Sequence, residues 1–508
     1  MLTISAVFSD HMVLQRQKPI PVWGQGVPGA QVSVTLADER KTTVVGPDGC
    51  WDLTLAPREA GANLTLTVES KGQQLTFTDV AVGEVWFAGG QSNMELPLRD
   101  CKNGKREVAD SDHPSIRFYN VPQRAVLDGE QAQMEAESSW QVCAPSTSGD
   151  MSAVAYFFAR QLCQTQGVPV GIIGCYWGGT SISCWMSRQQ LEKTAAGQKY
   201  LNDYAALVGD KTDEQYAAEM EGYNAEYQAW QSRVDQRRAA EPTVTWPVLN
   251  EECGLCPWPQ PAGNQSPFRP AGLYETMVQR VTPYAIRGFL YYQGEEDEAR
   301  YATYDVMMTY LIDQWRTDWR DDELPFLFVQ LPMYCSREEY QNHQDSKHWA
   351  MLRDQQMKIS RTVANTGLAV LTDCGEFDNI HPLDKQTVGC RLALLARKKV
   401  YGEDVVADAP VMAQTRPTED GGMEVRFRHT GGGLSVRGDC LEGFQLAGAD
   451  GIFYPARGNV QADRVLLHSA QVPAPVYVRY AWTNFGSSTL YGASGLPAAP
   501  FRTDDFSC

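Results

Sequence analysis

The sequence has little positive charge: 44 Lys and Arg stand against 62 Asp and Glu, for a formal net charge of −18 at pH 7. No stretch forms the basic patch that nucleic-acid-binding proteins carry, so nucleic acid is excluded as a partner. Long apolar runs are also missing, and none approaches the roughly 18 residues needed to span a bilayer. The first residues, MLTISAVFSDHMVLQRQKP, lack the basic and apolar segments of an export signal. We therefore expect no membrane contact and a cytoplasmic protein, with an extracellular location left open if a leader has been trimmed.

A cysteine framework and a metal-ligand set are also lacking. The 13 cysteines are an odd number in a long chain, which fits reduced thiols better than disulfides. Cys253 and Cys256 in CGLC have the spacing of half a zinc site or of a redox pair. No second close Cys/His pair accompanies them, and their segment is rich in Pro and Trp. We interpret this motif as incidental.

What is present indicates a multidomain globular protein, because 508 residues with 43% hydrophobic content exceed one ordinary domain. Residues 1–82 alternate apolar and polar positions between turn signals, which predicts an N-terminal antiparallel β domain. Residues 406–508 show the same pattern and predict a C-terminal antiparallel β domain. Residues 83–405 are predicted to form a third domain between them. Homo-oligomerisation stays open.

The middle segment alternates near-continuous apolar runs with helical periodicity. Its candidate strands are VWFA, VGIIGC, IRGFLYY, FLFVQL and LAVLT. Such a pattern predicts an α/β fold, with a parallel sheet covered by helices on both faces. An insertion at about residues 195–270 carries a helical stripe: Tyr216, Met220, Tyr223, Tyr227, Trp230 and Val234. The stripe fits either the packed face of a helix or the wall of a sugar site.

Small and polar residues follow four of the candidate strands, in GGQSN, YWGGTS, QGEED and DCGEFDNIHP. Ligands of such sheets bind beyond the carboxyl ends of the strands, so these segments predict one site. A serine nucleophile needs a base and a group that orients that base. Ser92, His381 and Asp378 can fill these roles, since residues three apart can meet in a turn. The G-x-S-x-G nucleophile elbow is absent, so the scaffold differs from that hydrolase class.

An oxyanion needs preorganised hydrogen-bond donors. The candidates are the backbone N–H groups of Ser92, Gly178 and Gly179 and the side-chain amide of Gln293. Glu295 is predicted to support the site through hydrogen bonds. A glycosidase-type carboxylate pair of Glu295 and Asp378 is a further alternative, but it would leave the Ser, Gly and Gln residues without a role.

Taken together, these motifs resemble the sialate O-acetylesterase family of SGNH hydrolases. The resemblance includes FSDHMVLQRQKPIPVWGQG, GEVWFAGGQSNMELPL, WGGTSISCWMS and DNIHPLDKQTVGCRLAL. It implies a three-layer α/β/α catalytic domain, Ser92 as nucleophile, His381 with Asp378 as base, and an oxyanion hole at Gly178, Gly179 and Gln293. Where the family often has W-Y-Q-G-E-S-N this chain has YYQGEED, so Glu296 and Asp297 change the local charge.

The resemblance also implies a function, namely hydrolysis of O-acetyl groups on carbohydrates through an acetyl-enzyme, with no metal or organic cofactor. O-acetylated sialic acid is the expected substrate. Neutral plant-type oligosaccharides such as acetylated xylan, mannan or xyloglucan are the alternative. Sialic acid carries a carboxylate that calls for an arginine, and Arg99, Arg269 and Arg300 lie near the motifs. An inactive carbohydrate-binding protein is the more distant alternative.

Overall fold

The computed structural model describes residues 1–241, 243–342 and 344–506. Short strands fill the N-terminal part of the chain. They are β1 (Thr3–Ile4), β2 (Val13–Gln15), β3 (Ile20–Gln25), β4 (Gln31–Leu36), β5 (Glu39–Val44), β6 (Cys50–Leu55) and β7 (Gly61–Ser70). Strands β1, β3 and β6 form one antiparallel sheet, and β4 pairs with β5 and β7. The predicted alternation is visible in β6, whose residues alternate between exposed and buried.

One long strand, β8 (Gln73–Gly90), connects this β region to the rest of the protein. Its first part pairs with β7 in antiparallel fashion, and its second part enters the central sheet. The boundary predicted between residues 82 and 83 therefore falls inside a strand. The division into domains stays a prediction.

The central sheet contains β8 and the strands that follow it, in the spatial order β10, β9, β11, β8, β12, β13, β14. These strands are β9 (His113–Asn120), β10 (Gln141–Cys143), β11 (Val170–Tyr176), β12 (Gly288–Tyr292), β13 (Phe326–Gln330) and β14 (Thr366–Val370). All neighbouring pairs are parallel except β9 and β10. Strands β11, β12 and β13 are buried along their whole length, which explains their nearly continuous apolar sequences.

Helices connect these strands. They are α1 (Ser92–Glu95), α2 (Gly104–Ala109), α3 (Gly129–Glu137), α4 (Ala153–Gln166), α5 (Arg188–Leu191), α6 (Ala195–Val208), α7 (Asp213–Ala240), α8 (Trp246–Cys253), α9 (Gln279–Val281), α10 (Tyr304–Asp318), α11 (Arg337–Gln341), α12 (His348–Thr362) and α13 (Lys385–Lys399). Short 3-10 helices also occur at Leu98–Asp100, Ser148–Asp150 and Ile182–Trp185, a π-helical turn occurs at Tyr274–Val278, and a longer 3-10 segment with a kink at Arg300 spans Glu295–Thr303. No helix of the described ranges is both long and apolar enough to cross a membrane.

Two adjacent residues of β8 show that helices cover both faces of the sheet. The Trp86 ring packs on Phe158 of α4 with centroids 5.0 Å apart, and the Phe87 ring packs on Trp315 of α10 at 5.2 Å. Because successive side chains of a strand point to opposite faces, α4 and α10 lie on opposite sides. The predicted α/β fold with a sheet between two helical layers is confirmed.

The insertion forms helices α6, α7 and α8. Within the aromatic stripe, Tyr216, Trp230 and Val234 are buried, whereas Tyr227 is exposed. Trp230 and Val234 form a small cluster with Leu249 and Cys253 that is separate from the main core. The packed-face interpretation therefore holds for this part of the stripe.

After α13 the chain forms antiparallel strands, as predicted. They are β15 (Val411–Pro417), β16 (Met423–Arg428), β17 (Leu434–Val436), β18 (Phe444–Ala447), β19 (Phe453–Pro455), β20 (Arg457–Gln461), β21 (Arg464–His468), β22 (Tyr477–Tyr480), β23 (Leu490–Gly492) and β24 (Phe501–Arg502). They form separate small sheets with their own hydrophobic cluster. The cysteines of the described ranges are free thiols.

Candidate active site

The strand register places the predicted site segments at one edge of the central sheet. Gly90 of β8 is level with Tyr176 of β11 and with Tyr292 of β12. The segments that follow these residues, which hold Ser92, Gly178 and Gln293, therefore leave the sheet side by side. Gly90 has φ +138°, and a Cβ at this position would lie 2.1 Å from the carbonyl oxygen of Tyr292. Only glycine allows β8 to end so close to β12.

Ser92 and His381 are brought together although they are far apart in the sequence. Ser92 is the first residue of α1, and its Oγ lies 2.8 Å from Nε2 of His381. The backbone N–H of His381 donates to Oδ1 of Asn379 at 3.0 Å, and Pro382 restricts its backbone. Burial, reinforced by the nearby charge of Lys385, lowers the pKa of His381 to about 4. The ring is therefore neutral near pH 7 and able to accept a proton.

Asp378 does not contact the His381 ring. Its two carboxylate oxygens accept hydrogen bonds from the backbone N–H and from Nε of Arg337, at 3.1 and 3.2 Å. Asp378 also adopts a left-handed backbone conformation with φ +52°, whereas the predicted contact assumed a regular turn. Within the described ranges no hydrogen bond reaches Nδ1 of His381. The predicted Asp378–His381 contact is therefore not formed, because Arg337 binds the carboxylate instead.

The backbone donors near Ser92 are partly occupied. The N–H of Gly178 donates to Oε2 of Glu95 at 2.6 Å, while in the described part of the chain the N–H groups of Ser92 and Gly179 have no acceptor. A Cβ on Gly178 would lie 3.2 Å from Cβ of Ser92, so this turn lies directly beside the serine. Gly179 has φ +69°, which favours glycine. Of the predicted oxyanion donors, Ser92 and Gly179 are the free ones.

Gln293 is buried, and its amide is used inside the protein. Its Nε2 donates to the carbonyl oxygen of Thr180 at 3.2 Å and to a carboxylate oxygen of Asp297, and its Oε1 accepts from the Tyr304 hydroxyl at 2.9 Å. An amide NH2 group has two donors, and both are taken. The structure therefore does not present Gln293 as an oxyanion donor, because Asp297 and Thr180 bind it first.

Glu295, predicted to support the site, is linked to it through two residues that the sequence analysis missed. Nδ2 of Asn93 donates to Oε1 of Glu295 at 2.5 Å and to the carbonyl oxygen of Ile380 at 2.9 Å, while Nζ of Lys385 donates to Oδ1 of Asn93. Asn93 and Lys385 are buried, and each lies within four residues of Ser92 or His381. That proximity was the signal available in the sequence. This network ties the segment of Ser92 to the segment of His381.

Burial sets the protonation of this network. It raises the pKa of Glu295 to about 7 and lowers the pKa of Lys385 to about 8. The Lys385 ammonium also lies over the ring of Tyr292, 5.2 Å from its centroid. Near pH 7 the lysine is mostly charged, and its charge opposes protonation of His381.

Comparison with known proteins finds relatives among the carbohydrate esterases. Residues 249–394 match the model of a family described as carbohydrate esterase, sialic acid-specific acetylesterase. The sialate O-acetylesterase of Mus musculus is 26% identical over 98% of this chain and 93% of its own length. The Homo sapiens sialate O-acetylesterase is 25% identical over 78% of this chain and 71% of its own. The alignment with the crystal structure of a carbohydrate acetylesterase from Xanthomonas citri covers 100% of each chain, with 32% identity and a TM-score of 0.77.

An α/β sheet with a Ser–His pair at its carboxyl edge, together with these relatives, defines a carboxylic ester hydrolase of the carbohydrate esterase class. The match to the Xanthomonas citri enzyme extends over the whole chain and is not limited to the site motifs. The protein belongs to the sialate O-acetylesterase family of these esterases.

Proposed function

We propose that the enzyme removes O-acetyl groups from sugars, with Ser92 as nucleophile and His381 as general base. The 2.8 Å contact between Ser92 Oγ and His381 Nε2 is the observation that carries the proposal. A serine hydroxyl is a poor nucleophile at neutral pH unless an adjacent base takes its proton. Burial lowers the pKa of His381 and keeps the ring neutral near pH 7, which is the form that can accept the serine proton.

In the proposed reaction, Ser92 Oγ bonds to the acetyl carbonyl carbon while its proton moves to His381 Nε2. The backbone N–H groups of Ser92 and Gly179 donate to the oxygen that becomes negative. When the tetrahedral intermediate collapses, the bond to the sugar oxygen breaks and His381 returns the proton to that oxygen. Water, deprotonated by the same ring, then attacks the acetyl carbonyl carbon. The bond to Ser92 Oγ breaks, His381 returns the proton to Oγ, and acetate leaves.

O-acetylated sialic acid is the proposed substrate, because the curated relatives are sialate O-acetylesterases. Its carboxylate calls for a cation, and Arg300 supports this choice of substrate. Arg300 lines the cavity that borders Gly179, where its guanidinium lies 4.3 Å from the centroid of the Tyr200 ring. It is ion-paired with Asp203 at 2.8 Å and would exchange that partner for the substrate. Arg99 and Arg269 are ion-paired outside this lining, with Asp150 and Glu275.

A neutral O-acetylated oligosaccharide is the second candidate, and the charge of the same cavity favours it. The acidic residues Asp203, Glu219, Glu226 and Glu296 line the cavity, against Lys211 and Arg300. Such a surface attracts an anionic sugar less than a neutral one. Burial and the neighbouring Asp297 raise the pKa of Glu296 to about 8, which reduces this bias near pH 7.

Acetate release by wild type and by Ser92→Ala tests the proposal on two substrates: 9-O-acetylated sialic acid and acetylated xylo-oligosaccharides. We expect the sialic acid to be the better substrate and Ser92→Ala to lose at least about 10³-fold in kcat/KM. Ser435→Ala, a change at an exposed residue of β17, is the matched control with unchanged activity.

The pattern of results separates the parts of the proposal. Serine-dependent release from the xylo-oligosaccharides alone would keep the mechanism and replace the substrate. Equal activity of wild type and Ser92→Ala on both substrates would contradict the assignment of the nucleophile.

A further inference from the structure

We infer that the cavity bordering Gly179 is a second sugar subsite, in which Trp258 stacks on the ring next to the acetylated sugar. The inference rests on the proposed function and extends it: the preferred substrate is a glycan of two or more rings and not a free monosaccharide. Nothing in the catalytic pair requires this site, and most of its lining comes from the insertion between residues 195 and 270.

The position of the cavity sets what it can hold. Its lining includes Gly179 and Glu296 from the sheet edge but, among the described residues, neither Ser92 nor His381. Gly179 follows Gly178, which lies against Ser92. A group in the cavity is therefore adjacent to the reacting ester without being the ester itself. The volume of about 790 Å³ lies within the 300–1,000 Å³ typical of small-molecule sites.

Trp258 lines this cavity with a partly exposed aromatic ring. Its side chain is 49% exposed, an unusual state for the largest apolar residue. The indole and the Phe268 ring pack edge to face with centroids 5.3 Å apart, and the indole approaches Gly179 so closely that a Cβ there would lie 2.2 Å from the ring. These two contacts hold the ring in place. A fixed flat aromatic surface suits the apolar C–H face of a pyranose.

Two tyrosines hold the loop that carries Trp258. The Tyr223 hydroxyl of α7 donates to the carbonyl oxygen of Pro257 at 3.0 Å, and the Tyr204 hydroxyl of α6 donates to that of Gly263 at 3.0 Å. Tyr223 belongs to the aromatic stripe and also lines the cavity. Tyr223 therefore fits the interpretation that the stripe forms the wall of a sugar site. The buried residues of the stripe fit the other interpretation, the packed face of a helix.

The remaining lining favours a sugar over other small ligands. Ser181, Gln260, Lys211 and Glu226 surround the aromatic wall with donors and acceptors that can bind hydroxyl groups. An acyl chain or another apolar ligand would take these polar groups out of water without offering them hydrogen bonds, which is costly in a concave site. An aromatic platform with convergent polar groups fits a ring that has one apolar face and polar edges.

The test compares each variant on two substrates, free 9-O-acetylated sialic acid and the same sugar as the terminal residue of a trisaccharide. The measured quantity is the ratio of kcat/KM for the trisaccharide to kcat/KM for the monosaccharide. We expect Trp258→Ala to lower this ratio about tenfold, mainly through KM, and Trp258→Phe to keep most of it. Ile452→Ala, at a 53% exposed apolar residue near β19, is the matched control with an unchanged ratio. An unchanged ratio in Trp258→Ala would overturn the inference.

A binding measurement makes the test independent of the proposed function. Calorimetry with the deacetylated trisaccharide compares Ser92→Ala with the double variant Ser92→Ala, Trp258→Ala, after thermal unfolding has shown that both fold. Weaker binding by the double variant supports the subsite, and equal binding contradicts it. If the wild type hydrolyses p-nitrophenyl acetate but neither sugar ester, the proposed function fails, and the binding result still decides the subsite.

Discussion

The two sides of Ser92 differ in how completely their polar groups are paired. On the sheet side, Asn93, Gln293 and Glu295 are buried, and each has a hydrogen-bonded partner inside the protein. On the side of the insertion, Gly179 has a free N–H in the described structure and Trp258 has a half-exposed ring. Residues that follow the same sheet edge thus divide into a supporting group and a group facing the substrate. Membership of a motif alone does not distinguish the two.

The two carboxylates near the site, Glu295 and Asp378, differ in their partners. Glu295 is buried and paired with an amide, and burial raises its pKa to about 7. Asp378 is also buried, but the charged guanidinium of Arg337 binds it. Neither carboxylate is hydrogen-bonded to the His381 ring within the described chain. The pair of Ser92 and His381 is therefore held from the backbone and through Asn93.

Among the changes to the residues that support Ser92 and His381, Asn93→Ala should lower kcat/KM the most. Asn93→Ala removes the side chain that joins Glu295, Lys385 and the carbonyl oxygen of Ile380. We expect a loss of roughly 10–100-fold in kcat/KM, because Ser92 and His381 are no longer held in register. The unfolding free energy should fall by about 1–3 kcal/mol, since buried polar partners are left unpaired.

Kinetics with p-nitrophenyl acetate and urea unfolding measure these two losses. Asn459→Ala, at an exposed residue of β20, is the control that should change neither. Full activity of Asn93→Ala would contradict a positioning role for the network.

Asp378 should give an intermediate effect. The Asp378 carboxylate binds Arg337 and not His381. We therefore expect Asp378→Asn to reduce kcat/KM by about tenfold or less. Replacing the carboxylate of a working catalytic triad costs roughly 10⁴-fold. Steady-state kinetics on p-nitrophenyl acetate, with Arg337→Gln as the companion variant, measure this. A loss near 10⁴-fold in Asp378→Asn alone would show that the carboxylate moves onto the His381 ring in the working enzyme.

The sequence was sufficient to predict the sheet edge and the residues on it. Apolar runs of five to seven residues define buried strands, and the parallel order places the segments after them together. Ser92 and His381 meet for that reason. The sequence could not predict the direction of a side chain within its segment. Gln293 turns inward because Asp297, four residues later, and Thr180, in the loop after β11, bind its amide.

The Asp378–His381 contact failed for a similar reason. A spacing of three residues suggests contact only when the backbone forms a regular turn. Asp378 has a left-handed conformation, and a residue 41 positions earlier, Arg337, supplies its partner. Long-range ion pairs of this kind leave no periodic signal. The insertion was likewise undecidable, because one stripe contains both packing and cavity-lining residues.

The smallest predicted effect concerns the charge of Lys385. The neutral His381 ring is the active form, so kcat/KM should fall as the pH falls through about 4. Lys385→Met removes the positive charge near the ring, which raises the pKa of His381 and moves the acid limb to higher pH. We expect a shift of less than about one pH unit, because burial, the larger cause, stays the same. The pH profile of kcat/KM for p-nitrophenyl acetate, from about pH 3.5 to about pH 8, measures it.

Two further variants identify the group whose titration causes the acid limb of the pH profile. Lys385→Arg keeps the positive charge and should keep the limb near its wild-type position, whereas Glu295→Gln removes the other group of the network that titrates, near pH 7. If Glu295→Gln abolished the limb, the titrating group would be Glu295 and not His381. If Lys385→Met and Lys385→Arg gave the same profile, Lys385 would act through its hydrogen bond to Asn93 alone. If the acid limb of the pH profile moves when the Lys385 charge is removed, Lys385 controls the pKa of His381. The buried network around Asn93 then sets the protonation state of the catalytic base.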